Sequence, residues 1–140
     1  MGRSLINAKK VKVDGIKFAS KLEGYMYNQL KKNGIKFGYE SEVFQLVDEF
    51  ESNNVCFEKV GKKPMKLKTN NKVRGMIYTP DFVSDKFIIE TKGFKTTSFV
   101  LRWKLFKSHL HKNNDNRVIY MPSNSKECDI VISDILSRFK

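Results

Sequence analysis

The sequence predicts one α/β domain, in which helices flank a mixed central sheet in the order αβββαβα. Three observations predict it. A chain of 140 residues can bury one hydrophobic core but is too short for two domains. The hydrophobic fraction of 40% and the aromatic fraction of 12% are typical of a folded protein. Segments with helical spacing of apolar residues also alternate along the chain with segments of strand-like spacing.

The helices are predicted from caps and apolar stripes. Ser20 and Glu23 have the spacing of a capping box, and Gly34 is a typical residue just beyond a helix end. In a later segment, aromatic and aliphatic side chains fall on one helical face, which places Trp103 in the core. Helices are therefore expected over residues 20–33, 97–111 and 130–139.

The strands are predicted from alternating or continuous apolar segments, over residues 35–47, 74–83, 87–92 and 118–121. Between the first two, the acidic stretch from Asp48 to Asn54 predicts a turn. Residues 55–68 are rich in lysine and interrupted by Gly61 and Pro64, which predicts an irregular, exposed hairpin arm. Residues 1–15 are expected to form a basic, flexible N-terminal segment of the same domain.

The charge predicts a polyanionic partner. Twenty-seven Lys and Arg residues oppose 15 Asp and Glu residues, which gives a formal net charge of +12. Such a surface attracts nucleic acid, the commonest polyanion. A membrane partner is not expected, because the sequence has no long apolar run and no basic amphipathic helix at its terminus.

The N-terminal residues lack the apolar stretch of a signal peptide, which favours the cytoplasm as the location of the chain. Cys56 and Cys128 lie far apart with no CxxC spacing. In a reducing compartment both are expected to be free thiols rather than zinc ligands.

The candidate site consists of Asp81, Glu90 and Lys92. Side chains alternate along a strand, so Glu90 and Lys92 project from the same face. A connecting loop of even length also places Asp81 on that face, within roughly 5–8 Å of Glu90. A loop of odd length would turn Asp81 to the other face. With an even loop, two carboxylates and an ammonium group converge.

This set of groups is suited to metal-assisted hydrolysis of a phosphodiester. Carboxylate oxygens are hard ligands that hold Mg²⁺, for which Mn²⁺ is expected to substitute. The metal polarises a phosphoryl oxygen and lowers the pKa of a bound water, while a lysine orients or deprotonates that water. The alternative is an exposed ladder of salt bridges. Pro80, the apolar segment 87–89 and the net charge of +12 favour the site.

The strings TPDF (79–82) and IIETKG (88–93) resemble the core motif of the PD-(D/E)XK nuclease superfamily. The sequence is most similar to the phage endonuclease I-type Holliday junction resolvases and to small phage nucleases, over roughly residues 15–110. This resemblance implies a restriction-endonuclease-like fold, a single nuclease domain over residues 1–140, and the host cytoplasm as its location if the chain comes from a phage.

The resemblance also implies roles for individual residues. It makes Asp81, Glu90 and the Thr91 carbonyl ligands of a Mg²⁺ ion and Lys92 the catalytic lysine. It makes Glu23 the helix glutamate that completes the acidic cluster. A purely structural role for Glu23, as the second residue of the capping box, is the alternative.

One departure from the pattern bears on the substrate. The endonuclease I-type enzymes carry a further glutamate directly after a string like GIKF, and Gly38 stands there in this chain. Glu40 and Glu42 lie nearby but out of register. Whether either of them replaces the missing ligand, and therefore whether the chain resolves junctions, stays open.

The basic residues define two candidate nucleic-acid surfaces. One is the helix after Lys92, with Arg102, Lys104 and Lys107. The other is the arm, with Lys62, Lys63, Lys66, Lys68, Lys72 and Arg74, where any single lysine could equally belong to a solvated face.

The predicted function is a metal-dependent endodeoxyribonuclease acting on duplex or branched DNA. An RNA substrate is an open alternative, and so is a non-catalytic nucleic-acid-binding accessory protein with the same fold. A homodimer is expected, because paired cuts in two strands need two sites. In such a dimer Lys9, Lys10, Lys12 and Lys17 are candidates to contact the partner or the DNA. A monomer that nicks one strand is the alternative.

Overall fold

The computed structural model describes residues 10–140 and shows a mixed α/β architecture. Its helices are α1 (Lys21–Lys32), α2 (Thr97–Lys112) and α3 (Ser125–Arg138). Its strands are β1 (Val11–Val13), β2 (Ile16–Phe18), β3 (Gly38–Tyr39), β4 (Phe44–Val47), β5 (Phe50–Glu51), β6 (Phe57–Glu58), β7 (Lys66–Leu67), β8 (Lys72–Val73), β9 (Met76–Tyr78), β10 (Phe82–Val83), β11 (Phe87–Ile89) and β12 (Val118–Tyr120). The predicted α/β class is therefore confirmed.

The central sheet has the strand order β12-β11-β10-β3. β11 and β12 are parallel, whereas β10 is antiparallel to both β11 and β3. Because side chains alternate along a strand, Phe82 and Ile89 enter one core with α1 and α3. Val83 and Ile88 enter a second core with α2 and β4. Helices thus cover both faces of the sheet, and β11 is buried along its whole length.

The helix predictions are confirmed for α1 and α2, and α2 buries Trp103 as expected. The third helix begins at Ser125, five residues before its predicted start. Its cap is Asn124, whose side chain accepts a hydrogen bond from the Glu127 amide. The first turn of the helix, residues 125–128, is mostly polar, and the predicted start at residue 130 left it out.

Two of the predicted strands are broken. The segment 35–47 divides into β3 and β4 because Glu40 adopts a left-handed conformation with φ of 48°, which turns the chain between them. The segment 74–83 divides into β9 and β10, which belong to different sheets. Pro80 lies in the break, and proline cannot donate to a ladder. Both breaks lie beside the candidate site.

The hairpin arm is longer than predicted. The acidic segment expected to be a turn instead forms β5, which pairs with β8, while β6 pairs with β7. With the β4–β9 pair at its base, the arm is one irregular antiparallel ribbon whose tip includes Gly61 at a φ of 63°. The prediction of an exposed hairpin arm is confirmed, and its start moves back to about Asp48.

The N-terminal prediction is partly wrong. Val11–Val13 and Ile16–Phe18 form a hairpin, β1–β2, through a turn at Asp14 and Gly15, both at positive φ. This hairpin packs on α1, so residues 11–18 belong to the fold. The first nine residues, including Lys9, lie outside the described part of the chain.

Cys56 and Cys128 are both free, and Cys128 is buried. Within residues 10–140, no helix combines the length and the apolar character needed to cross a bilayer.

Candidate metal and active site

Asp81 and Glu90 lie opposite each other at the ends of two paired strands. The register pairs Phe82 with Ile89. Asp81, which directly precedes β10, therefore lies opposite Glu90, which directly follows β11. The connection between the paired positions Val83 and Ile88 has four residues, 84–87, which is the even length that the predicted geometry requires. Both carboxylates are buried, with exposed fractions of 7% and 5%.

Thr91 fixes the orientation of Asp81. Its backbone N–H and its hydroxyl both donate to Oδ2 of Asp81, at 2.8 and 2.7 Å. Oδ1 of Asp81 accepts no hydrogen bond from a described residue and remains available to a ligand. The Thr91 carbonyl lies on the same segment, between Glu90 and Lys92.

Glu90 contacts two other side chains. Its Oε1 accepts a 2.5 Å hydrogen bond from the Tyr78 hydroxyl, and its Oε2 lies 3.4 Å from Nζ of Lys92. The ammonium group of Lys92 also lies 4.5 Å from the centre of the Phe99 ring at the start of α2. Lys92 is thus held between a carboxylate and an aromatic face while its side chain keeps partial access to solvent.

Glu23 is directed from α1 towards the same place. Ser20 caps the helix by accepting from the Glu23 amide at 3.2 Å. The Glu23 carboxylate, however, accepts a 2.5 Å hydrogen bond from the Tyr39 hydroxyl, so the helix cap is not the main role of this side chain. Glu23 is buried, which a capping residue on a solvent-facing helix end does not require.

Glu40 joins this cluster. Glu23, Glu40 and Asp81 each offer a carboxylate oxygen, and these atoms lie within 4.8 Å of one another. The Glu40 amide donates to the Asp81 carbonyl at 2.8 Å, which fixes the loop to the site. Glu42, in contrast, pairs with Arg117 at 2.7 Å. Of the two nearby glutamates, Glu40 is therefore the one placed among the site carboxylates.

The structure also explains the glycine at position 38. A Cβ atom built there would lie 2.1 Å from Oγ of Ser41 and 2.8 Å from its Cβ. The loop after Gly38 folds back so tightly that a side chain fits at this position only if Ser41 moves. The same tight loop carries the chain through the left-handed Glu40 towards Asp81.

Burial raises the pKa of each buried carboxylate. The pKa of Asp81 is raised well above its ordinary value, first by burial and then by the charges of Glu90 and Glu23. Burial likewise raises the pKa values of Glu23 and Glu90, although Tyr39 and Tyr78 oppose the shift by donating hydrogen bonds. Several buried acids that repel one another are unfavourable for stability, and such groupings are typical of functional sites.

The basic residues of α2 do not share one environment. Arg102 donates to the Ile77 carbonyl at 2.8 Å and therefore ties α2 to β9. Lys104 is exposed. Lys107 borders a separate cleft near the end of α2, about 12 Å along the helix from Phe99 at 1.5 Å per residue. Lys107 therefore lies farther along α2 from Phe99 than Arg102 and Lys104 do, and the contact of these residues with nucleic acid stays a prediction.

The other predicted nucleic-acid residues lie on the arm, outside the acid cluster: Lys62, Lys63, Lys66, Lys68, Lys72 and Arg74. Lys68 makes a 3.6 Å ion pair with Glu58, and Lys72 makes one with Glu49. The remaining side chains of this set are exposed.

Sequence reasoning missed two residues of the site, Tyr39 and Tyr78, and left the role of Glu40 open. Alternation marked Tyr39 only as an apolar position of a strand, although its hydroxyl is the group that reaches Glu23. Tyr78 carries no local signal at all. Its proximity to Glu90 arises because β9 packs against α2 beside the central sheet.

The protein therefore has a mixed α/β fold in which buried carboxylates and one lysine lie together at the end of the inner strand pair β10–β11. The chain belongs to the family described as "Protein of unknown function (DUF1064)", whose model matches residues 3–125. Comparison with curated proteins and with solved structures gave no significant match.

Proposed function

We propose that this protein is a metal-dependent endodeoxyribonuclease of the PD-(D/E)XK type. The observation that supports this most strongly is the convergence of Asp81, Glu90 and Glu23, all buried, with Lys92 at one edge of the central sheet. Buried acids are costly for folding, so their grouping in the core favours a chemical role over a structural one.

The fold agrees with this proposal. A restriction-endonuclease-like domain has a mixed sheet with helices on both faces and its acids on an antiparallel strand pair. In this chain the pair β10–β11 supplies Asp81 and Glu90, and the neighbouring strand β12 runs parallel to β11. Helix α1 supplies Glu23 from one face, and α2 supplies the ring beside Lys92 from the other.

The donor atoms fit a hard divalent cation. The proposed ligands are carboxylate oxygens of Asp81 and Glu90 and the Thr91 carbonyl. An oxygen of Asp81 lies within 4.8 Å of oxygens of Glu23 and Glu40, and Glu90 stands opposite Asp81 in the strand register. All are oxygens, the donors that Mg²⁺ and Mn²⁺ prefer. When bound, the metal supplies Lewis-acid polarisation of the phosphate and a water of lowered pKa.

The side chains around the ligands have separate tasks. Lys92, held 3.4 Å from Glu90, places a positive charge and a transferable proton where the attacking water and the phosphate meet. Tyr78 and Tyr39 hold one oxygen of Glu90 and of Glu23, and Thr91 holds one oxygen of Asp81. Such outer contacts orient ligands and prevent their rotation.

DNA is the proposed substrate, in duplex or branched form. The net charge of +12 favours a polyanion, and the exposed lysines of the arm offer contacts to the phosphate backbone. Glu40 supplies a carboxylate near the place that Gly38 leaves without one, which keeps junction resolution within the proposal. The location proposed is the cytoplasm.

The test is a cleavage assay on linear, nicked, four-way-junction and single-stranded DNA. Cleavage is expected with Mg²⁺ or Mn²⁺ and not with Ca²⁺ or EDTA. Undiminished cutting in excess EDTA would overturn the metal-dependent mechanism. DNA binding without cleavage of any substrate, in every metal, would instead support the non-catalytic accessory protein.

A further inference from the structure

The hairpin arm has one apolar face that no described residue covers. It carries cross-strand apolar pairs, Phe57 with Leu67 and Phe50 with Val73, each next to a pair of charged residues. Because side chains alternate, the apolar pair lies on one side and the charged pair on the other within each of the two strand pairs, β5–β8 and β6–β7. We use the name apolar ribbon face for six exposed apolar residues of the arm, namely Phe50, Val55, Phe57, Met65, Leu67 and Val73.

The size of this face matches one side of a protein interface. Its members are between 37% and 81% exposed. With full areas of about 150–250 Å² for large side chains, they expose on the order of 700 Å². A standard interface buries about 800 Å² per partner, and a patch this large on a monomer marks an interaction site.

The charges along the arm indicate which partner fits. The base of the arm carries Asp48, Glu49 and Glu51, offset in part by Lys72 and Arg74. The tip has the opposite sign, with Lys59, Lys62 and Lys63 around Gly61. If two copies of the arm lie face to face and antiparallel, the acidic base of each meets the basic tip of the other.

We propose that the apolar ribbon face is the homodimer interface of this protein, with the two arms antiparallel about a two-fold axis. Such an arrangement is isologous, so each apolar pair is buried twice. It assigns Lys62 and Lys63 to the partner chain and leaves Lys66, on the charged side with Glu58, free to face DNA. It does not depend on the proposed nuclease activity.

The first experiment is sedimentation velocity of the full chain, without DNA, over a wide concentration range. A dimer of twice the 16.3 kDa chain mass is expected. The double variant Phe57→Gln/Leu67→Gln should weaken dimerisation at least about a hundredfold, because each lost apolar contact counts twice. Ile130→Gln is the matched control, an equally exposed apolar residue on α3, and should leave the dimer unchanged.

The second experiment tests the orientation, in a Cys56→Ser background in which Cys128 is buried. A cysteine replacing Val55, near the middle of the arm, should lie close to its copy across the two-fold axis and cross-link with a short bismaleimide. A cysteine replacing Val60, near the tip, should not.

A wild-type chain that stays monomeric at all concentrations would overturn the proposal. Monomeric wild-type protein whose Phe57→Gln/Leu67→Gln variant loses DNA affinity would assign the face to nucleic acid instead. Cross-linking at position 60 without cross-linking at 55 would overturn the antiparallel arrangement.

Discussion

The acid cluster and the hairpin arm place the same kinds of charged residue in opposite surroundings. In the cluster, Asp81 and Glu90 are nearly inaccessible, and each accepts a hydrogen bond from a fixed hydroxyl. On the arm, Glu58 and Lys68 form a loose 3.6 Å pair that solvent reaches from both sides. A buried charge without a partner is costly, whereas an exposed pair is worth about 0–1 kcal/mol.

From this difference we expect the chemistry to take place in the acid cluster and the arm to serve in binding. The core holds its carboxylates rigidly, so small changes there should have large effects on reactivity. The arm projects with few fixed contacts, so single changes there should act weakly and mainly on association. The following predictions test that separation, and they begin with the largest expected effect.

Replacement of the paired carboxylates should abolish cleavage. Asp81→Asn and Glu90→Gln keep shape and hydrogen-bonding capacity but remove the charge that holds the cation. We expect cleavage to fall more than about a thousandfold, beyond the loss typical of one oriented polar group. Single-turnover assays measure it, with exposed Asp85→Asn in the same hairpin as the control. Near-normal turnover of either site variant would refute the ligand assignment.

Lys92 is expected to contribute about 10²–10⁴-fold to the rate. Lys92→Ala should lower the single-turnover rate by that amount while metal still raises the melting temperature, since the carboxylates remain. Lys92→Arg should not restore activity, because a guanidinium does not release a proton and has a different shape. The neighbouring exposed Lys95→Ala is the control. Full activity of the arginine variant would limit Lys92 to a role as a positive charge.

The tyrosines and Glu40 should have intermediate effects. Tyr78→Phe and Tyr39→Phe remove the hydroxyls that hold Glu90 and Glu23, and we expect about 10–100-fold weaker metal affinity. Glu40→Gln should weaken metal affinity by a similar factor. Isothermal titration with Mn²⁺ measures these affinities. Unchanged affinity in the tyrosine variants would mean that packing alone orients the carboxylates.

Substitutions on the arm should change DNA binding and leave the cleavage step unchanged. Lys66→Ala together with Lys68→Ala should lower the salt dependence of DNA binding by a slope of about 2, one unit per phosphate contact. The cleavage rate at saturating enzyme should stay unchanged. Fluorescence anisotropy at several salt concentrations supplies the slope. A fall in the saturated rate would break the separation between the two regions.

The smallest effect concerns stability without metal. The pKa of Asp81 is raised in the folded state, so its contribution to stability is fully present below the unfolded pKa and is lost as the pH rises through the folded pKa. Above the unfolded pKa, the burial of Asp81 beside Glu90 and Glu23 therefore destabilises the metal-free protein. Asp81→Asn should raise its free energy of unfolding by about 1 kcal/mol or more, as urea denaturation measures. At a pH low enough to protonate Asp81 in both states, this gain should disappear.

Local patterns in the sequence were sufficient to predict the helices. The caps of α1 and the stripe of α2 gave the limits of both helices within a residue. The helix limits depend on neighbours in the chain, so the sequence alone determines them. The sequence placed Asp81 opposite Glu90 only for a loop of even length, and the structure decided this register by pairing Val83 with Ile88.

Tertiary structure decided the rest of the candidate site. The hydroxyl of Tyr39 reaches Glu23 across 16 positions, and that of Tyr78 reaches Glu90 across 12, through packing of separate elements. The left-handed turn that brings Glu40 to Asp81 lies in a loop where Ser41 folds back against Gly38, a contact between residues that the sequence pattern does not pair. Periodicity reports the face on which a side chain lies, and only the packed chain determines which distant polar group that face meets.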